Sequence, residues 1–179
     1  MPEEEINMNN NHVMLDLETM GNGSNSAIIA IGAVAFDFKD GVYDKFYQNI
    51  HLETCLSAGM EVDGSTIEWW LTQSEQARES LLKNKVSIQS ALSSFAKWYE
   101  SSGAEEVWGN GSMFDNTILG NAYKSCGMAI PWKFWNDRCY RTIKSMSKIG
   151  LKRVGTHHNA LDDAESQALH LIEIIKREP

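Results

Sequence analysis

Asp16 and Glu18 stand one residue apart in the stretch HVMLDLETMG, at the end of an apolar run with strand character. Residues i and i+2 of a strand point to the same face, so the two carboxylates aim together while Leu17 turns the other way. Two like charges so placed repel, and a cation relieves the repulsion. The alternative ends the apolar run at Leu15 and leaves both acids in an exposed loop. Acids occupy two further element boundaries: Asp115 in GNGSMFDNTIL, and Asp162 with Asp163 in HNALDDA, just after His157 and His158. Hard carboxylate oxygens suit Mg2+ or Mn2+, which typically take only one or two carboxylates each and keep water or phosphate as other ligands. A handful of acids can therefore hold two ions.

The elements that must position these acids are legible from periodicity. Residues 12–17, 27–37 and 42–50 read as three strands, joined by a Gly/Asn/Ser loop and by the turn signal KDG, which predicts an antiparallel meander. STIEWWLTQ opens with a Ser/Thr cap and an early Glu, and SIQSALSSFAKWYE repeats apolar residues at Ile88, Leu92, Phe95, Ala96 and Tyr99, so both predict helices. A short strand, EEVWG, precedes a helix over FDNTILGNAYKSCG that Gly127 stops. The last helix, ALDDAESQALHLIEIIKRE, gathers Leu161, Ala164, Ala168, Leu171, Ile172 and Ile175 on one face. Together these predict an α/β sandwich around a mixed sheet.

Composition bounds the function. With 179 residues and 42% apolar side chains, the chain suits one domain with a sizeable core. No run approaches the roughly 18 apolar residues of a membrane helix, and MPEEEINMNNN is acidic and polar, unlike a signal peptide. A cytoplasmic protein without membrane partners is the expectation. Three cysteines, Cys55, Cys126 and Cys139, have no metal-type spacing and are odd in number, which argues against a disulfide framework.

The net charge of −8 at first weighs against a nucleic-acid partner. Its distribution says more: from Trp132 to Arg153 seven basic residues accompany one acid, Asp137, for a local +6, so the remainder carries −14. Such segregation also describes a solvated helix face.

In order along the chain, DLET, GNGSMFDNTIL and HNALDDA resemble the three motifs of the DEDDh 3′–5′ exonucleases of the ribonuclease H-like fold. The likeness runs from about residue 12 to 176. It is nearest to the small phage and bacterial branch of exodeoxyribonucleases and single-domain exoribonucleases, because TIEWWLTQSEQAR also resembles a segment of that branch. The resemblance implies a flexible N-terminus at 1–11, a single exonuclease domain at 12–179, and a mixed sheet, antiparallel in its first three strands and then parallel, flanked by helices. It implies localisation to the cytoplasm of a bacterial or phage-infected cell, with a homodimer among the expected assemblies. Asp16, Glu18, Asp115 and Asp163 become the ligands of two divalent ions, and His158 the general base.

Spacing alone does not separate His157–Asp162 from His158–Asp163. The family pattern H-x-A-x-x-D does, since Ala160 lies two residues after His158, and it leaves Asp162 as a helix N-terminal charge. The implied substrate is the 3′ end of single-stranded nucleic acid, with DNA favoured and RNA the alternative, and the product a nucleoside 5′-monophosphate. Thr19 and Met20 are expected at the terminal sugar and base, and Asn110 and Phe114 on the opposite wall. Adjacent residues of a helix lie about 100° apart, so one of Trp69 and Trp70 is expected to face the cleft. Arg138, Arg141 and Lys144, at helical intervals, are the expected phosphate contacts, with Lys148 and Lys152 extending the stripe.

Two other classes fit the sequence less well. An inactive nucleic-acid-binding module would lack an acid or the histidine, and all are present. A serine hydrolase would need a G-x-S-x-G elbow, which the sequence lacks.

Overall fold

A computed structural model describes residues 11–177. The expected flexible N-terminus falls outside these residues except for Asn11, whose carbonyl accepts the Glu105 amide at 3.0 Å.

The meander forms where alternation predicts it. Strands β1 (His12–Thr19), β2 (Ile28–Asp37) and β3 (Gly41–Ile50) pair antiparallel. Beyond them come three short helices, α1 (Leu52–Ser57), α2 (Gly64–Leu71) and α3 (Glu75–Ser80), and a two-residue strand, β4 (Lys85–Val86). Helix α4 (Ile88–Ser102) leads to β5 (Glu106–Gly109) and α5 (Asp115–Ser125). Strand β6 (Asp137–Cys139) runs into α6 (Tyr140–Met146), and α7 (Ala160–Arg177) closes the described chain. The sheet order is β4-β3-β2-β1-β5-β6, with β5 parallel to β1, β6 to β5 and β4 to β3.

Both faces of β1 are covered, and the pleat divides them. Val13, Leu15 and Leu17 join Leu92 and Phe95 of α4 and Ile118 and Leu119 of α5 in one core. Met14, on the other face, packs with Ala164, Ala168, Leu171 and Ile172 of α7, with Leu161 and Ile175 at the margin. Each fully buried Val, Leu, Ile, Phe or Met among them contributes roughly 1.5–3 kcal/mol. Asp16 and Glu18 continue the Met14 face, so they are aimed at α7.

Several elements depart from periodicity. The Ser/Thr cap expected for α2 is replaced by Asp63, whose carboxylate instead accepts the Asn22 amide at 2.8 Å and ties the loop after β1 to the helix. The basic stripe from Arg138 to Lys144 is not one helix, because Arg138 belongs to β6, too short to alternate, and the helix starts at Tyr140. Gly127 does end α5: its φ of 65° lets the Met128 amide reach back to the Tyr123 carbonyl at 2.9 Å.

Candidate active site

Three element ends deliver the acids to one place. At the end of β1, Asp16 lies opposite Gly32 and Glu18 opposite Ala30, and the ladder slips between Glu18 and Thr19. Asp115 opens α5, and its Oδ1 accepts the Leu17 amide at 3.2 Å. Asp163 lies in the first turn of α7, whose N-terminus Asn159 caps by accepting the Leu161 and Asp162 amides. Both aspartates thus stand in the first turns of helices, where the dipole interacts favourably with negative charge.

Two glycines permit this convergence. A Cβ on Gly32 would fall inside the backbone of Ala160 and Leu161, and one on Gly109 would meet the Asn116 amide oxygen and lie 3.2 Å from the Asp115 Cβ. The first turns of α7 and α5 therefore sit directly on the strands beside Asp16.

Carboxylate oxygens of Asp16, Glu18 and Asp163 all lie within 4.8 Å of one another. Glu18, Asp115 and Asp163 are 7%, 4% and 8% exposed, so little water screens them. Burial pushes the Glu18 carboxyl up to about 8, with Asp163 and Asp115 adding repulsion. Burial likewise raises Asp115 to about 7, against the pull of the Leu17 amide, other backbone amides and Arg141. Asp16 lies well above the usual carboxylate range, from burial first and then from Asp115, Glu18 and Asp163, with the Gln167 hydrogen bond opposing. A group of hard oxygen donors under such mutual repulsion fits divalent cations.

The doubled residues separate in space. Asp162 turns away, its Oδ2 accepting the Thr156 amide at 2.6 Å, and Asp163 faces Asp16 and Glu18. His158 adopts a left-handed backbone, φ 64°, and donates its amide to Asp163 Oδ2 at 3.0 Å. A non-glycine residue held there is unusual and marks a constrained site. Its ring stacks on His157 at 3.7 Å between centroids and meets Trp69 edge to face at 4.9 Å. Burial, then the neighbouring His157, lowers its pKa below 6.5. Both histidines can bring a ring nitrogen to Asp163, so geometry alone leaves His157 in the site as well.

Two adjoining cavities open on these groups. One, of about 240 Å³, is lined by Asp16, Glu18, Asp115, Asp163, His157, His158, Asn110, Phe114, Arg141, Arg153 and Gln167. The other, of about 400 Å³, is walled by Thr19, Asn22, Thr66, Trp69, Trp70 and Phe114. Trp70 is buried and donates its indole N–H to the Thr19 carbonyl at 2.9 Å, whereas Trp69 is 42% exposed. Both tryptophans line the cavity, against the expectation of one, because the bond to Thr19 holds the buried Trp70 ring against a residue of the cavity wall.

Three expected substrate contacts are elsewhere. Met20 lies past the end of β1, its amide bonded to the Ala27 carbonyl at 2.9 Å, and lines a separate apolar groove with Trp70, Ile29, Ile50 and Leu52. The Arg138 guanidinium pairs with Glu106 at 2.7 Å. Lys144 is in neither cavity, and its Nζ lies 5.9 Å from the Tyr140 ring. Arg141 does reach the site, donating to the Asn110 carbonyl at 2.6 Å.

Sequence reasoning missed Arg153 and Gln167. Arg153 Nη1 donates to Asp163 Oδ1 at 2.6 Å, and Gln167 Nε2 donates to Asp16 Oδ1 at 2.8 Å. Gln167 is four residues, about one turn, after Asp163, a spacing that could have flagged it. Arg153 carries no such signal, being in an irregular loop.

Residues 11–175 match the family described as the 3′–5′ exoribonuclease Rv2179c-like domain. The chain belongs to that family. That family is one of 3′–5′ exonucleases. An exodeoxyribonuclease of Enterobacteria phage T4 is 27% identical over 162 aligned positions, covering 72% of this chain and 68% of that enzyme. Solved structures share the fold at lower identity. The nuclease domain of 3′hExo, a DEDDh member bound to rAMP, superposes with a TM-score of 0.64 at 12% identity, covering 94% of this chain and 93% of that one. Exonuclease I of E. coli, in complex with a dT13 oligonucleotide, gives 0.65 at 12% identity, over 95% of this chain and 42% of that one. S. pombe Pop2p in its Mg2+- and Mn2+-bound form gives 0.58 at 16%, over 93% and 83%.

Proposed function

We propose that Asp16, Glu18, Asp115 and Asp163 hold two divalent ions, Mg2+ or Mn2+, and that the enzyme releases nucleoside 5′-monophosphates from the 3′ ends of single-stranded DNA. The observation that carries this reading is the mutual approach of three carboxylates, Glu18 and Asp163 buried and Asp16 half-buried, with Asp115 and His158 lining the same cavity. Four carboxylates match the charge of two divalent ions. Asp16 would serve both ions, Glu18 and Asp163 would hold the one that activates the water, and Asp115 would hold the one that steadies the leaving group.

When bound, the ions acidify the attacking water and stabilise the leaving 3′ oxygen. His158, neutral because burial lowers its pKa, takes the proton of that water. Gln167 holds the Asp16 carboxylate in one orientation. Arg141, fixed against the Asn110 carbonyl, offers its remaining donors to the phosphodiester. The terminal nucleoside takes the larger cavity, where Trp69 and Phe114 give apolar walls and Thr19, Asn22 and Thr66 polar ones. Base stacking on Trp69 needs no particular base, in keeping with sequence-tolerant degradation.

DNA is favoured by the likeness to the phage exodeoxyribonuclease. RNA is the second reading, favoured by the description of the family as exoribonucleases. Matched DNA and RNA oligonucleotides, labelled at the 5′ or 3′ end and incubated with Mg2+ or Mn2+, separate the two. Faster stepwise shortening of the DNA supports the first reading, and faster shortening of the RNA replaces it with the second.

A further inference from the structure

The carboxylate of Asp163 is engaged at both oxygens. Oδ2 accepts the backbone amide of His158 at 3.0 Å, and Oδ1 accepts Nη1 of Arg153 at 2.6 Å. The two donors differ in what holds them. The amide belongs to a backbone constrained at positive φ, directly before a buried helix start, and cannot leave without unwinding that turn. Arg153 sits in an irregular loop with its side chain 47% exposed, so its guanidinium can leave Asp163 for solvent without disturbing the core. Any cation that shares Asp16, Glu18 and Asp163 sits against the same carboxylate as the guanidinium and repels it.

Charge balance in the cavity points the same way. Four carboxylates line it, and the cations among its side chains, leaving the histidines aside, are Arg141 and Arg153. Once two divalent ions match the four acids, Arg153 has no acid left to hold it there. A phosphodiester arriving beside the acids restores a negative partner of the planar, two-oxygen kind that guanidinium groups bind best.

We propose that Arg153 is an exchanging counter-ion: it rests on Asp163, is displaced from it by the divalent cation, and then contacts a substrate phosphate. This rests on the metal reading of the site given above. A residue with this role has opposite effects on the two ligands. Removing it takes a competitor away from the metal and a contact away from the nucleic acid.

The test is Mn2+ binding measured by isothermal titration on wild type and Arg153→Ala, beside the KM of each for a single-stranded DNA oligonucleotide. The exposed side chain can be truncated without opening the core. The expected result is a Kd for Mn2+ lowered on the order of threefold in the variant and a KM raised on the order of tenfold. Mn2+ binding unchanged or weakened in Arg153→Ala overturns the exchange, as does an unchanged KM. A wild-type chain that binds no Mn2+ overturns the metal reading itself, a different outcome from either.

Discussion

Gly32 lies directly across the β1–β2 ladder from Asp16, and the start of α7 rests on it so closely that a Cβ there would overlap the Ala160 and Leu161 backbone. The missing side chain thus sets the height of Asp163 above Asp16. Gly32→Ala is expected to lift α7 from the sheet, costing about 1–3 kcal/mol as overpacking does and a larger share of activity than of stability. Thermal unfolding and nucleotide release check this together; a variant with wild-type activity contradicts the role given to Gly32.

Stability depends on pH through the acid cluster. Glu18 is raised from 4.5 to about 8 and Asp115 from 3.8 to about 7, so the folded chain holds these protons more tightly than the unfolded chain does. The folded state is therefore favoured at low pH and loses stability as pH rises through these values, by on the order of a few kcal/mol in total. In chelator, Tm should fall between pH 5 and pH 8.5, and Mn2+ should raise it more at the upper end. A Tm that climbs over that range in chelator contradicts the repulsion.

His158→Ala should cost on the order of 10²–10⁴ in kcat, the usual range for a lost general base, and His157→Ala far less. At saturating metal the acid limb of the wild-type pH profile should lie below 6.5, since His158 is lowered by burial and then by His157. Removing His157 lets that pKa rise, so the limb should move to higher pH. Equal losses from the two variants would show that the histidine register is wrong.

The paired tryptophans should separate by readout. Trp70→Ala removes a buried ring and its bond to Thr19, and should lower stability by about 3–5 kcal/mol. Trp69→Ala, at an exposed ring, should leave Tm nearly unchanged and weaken substrate binding by roughly 1–3 kcal/mol through lost stacking. Urea unfolding and KM measurements distinguish them.

The acids and the three long strands were legible because alternation and helix periodicity act over many residues. Asp16 and Glu18 declare their shared face through the pleat, and Asp163 is delivered by a helix whose apolar stripe reads clearly. Met20 was misplaced because it lies one residue beyond the end of β1, where the pleat no longer fixes the face a side chain takes. Arg138 was misplaced because a three-residue strand is too short to alternate and its arginine answers to Glu106 across the ladder. Arg153 was invisible because an irregular loop has no period, and only folding brings it to Asp163.

The most direct test follows a 5′-labelled single-stranded oligonucleotide with Mn2+ over time, with wild type beside Asp16→Asn. Wild type should give a ladder shortening one nucleotide at a time from the 3′ end, abolished by chelator. Asp16→Asn should give none while unfolding in chelator at a temperature no lower than wild type, because the variant relieves repulsion. A comparable ladder from Asp16→Asn would contradict the assignment of the carboxylate cluster to catalysis.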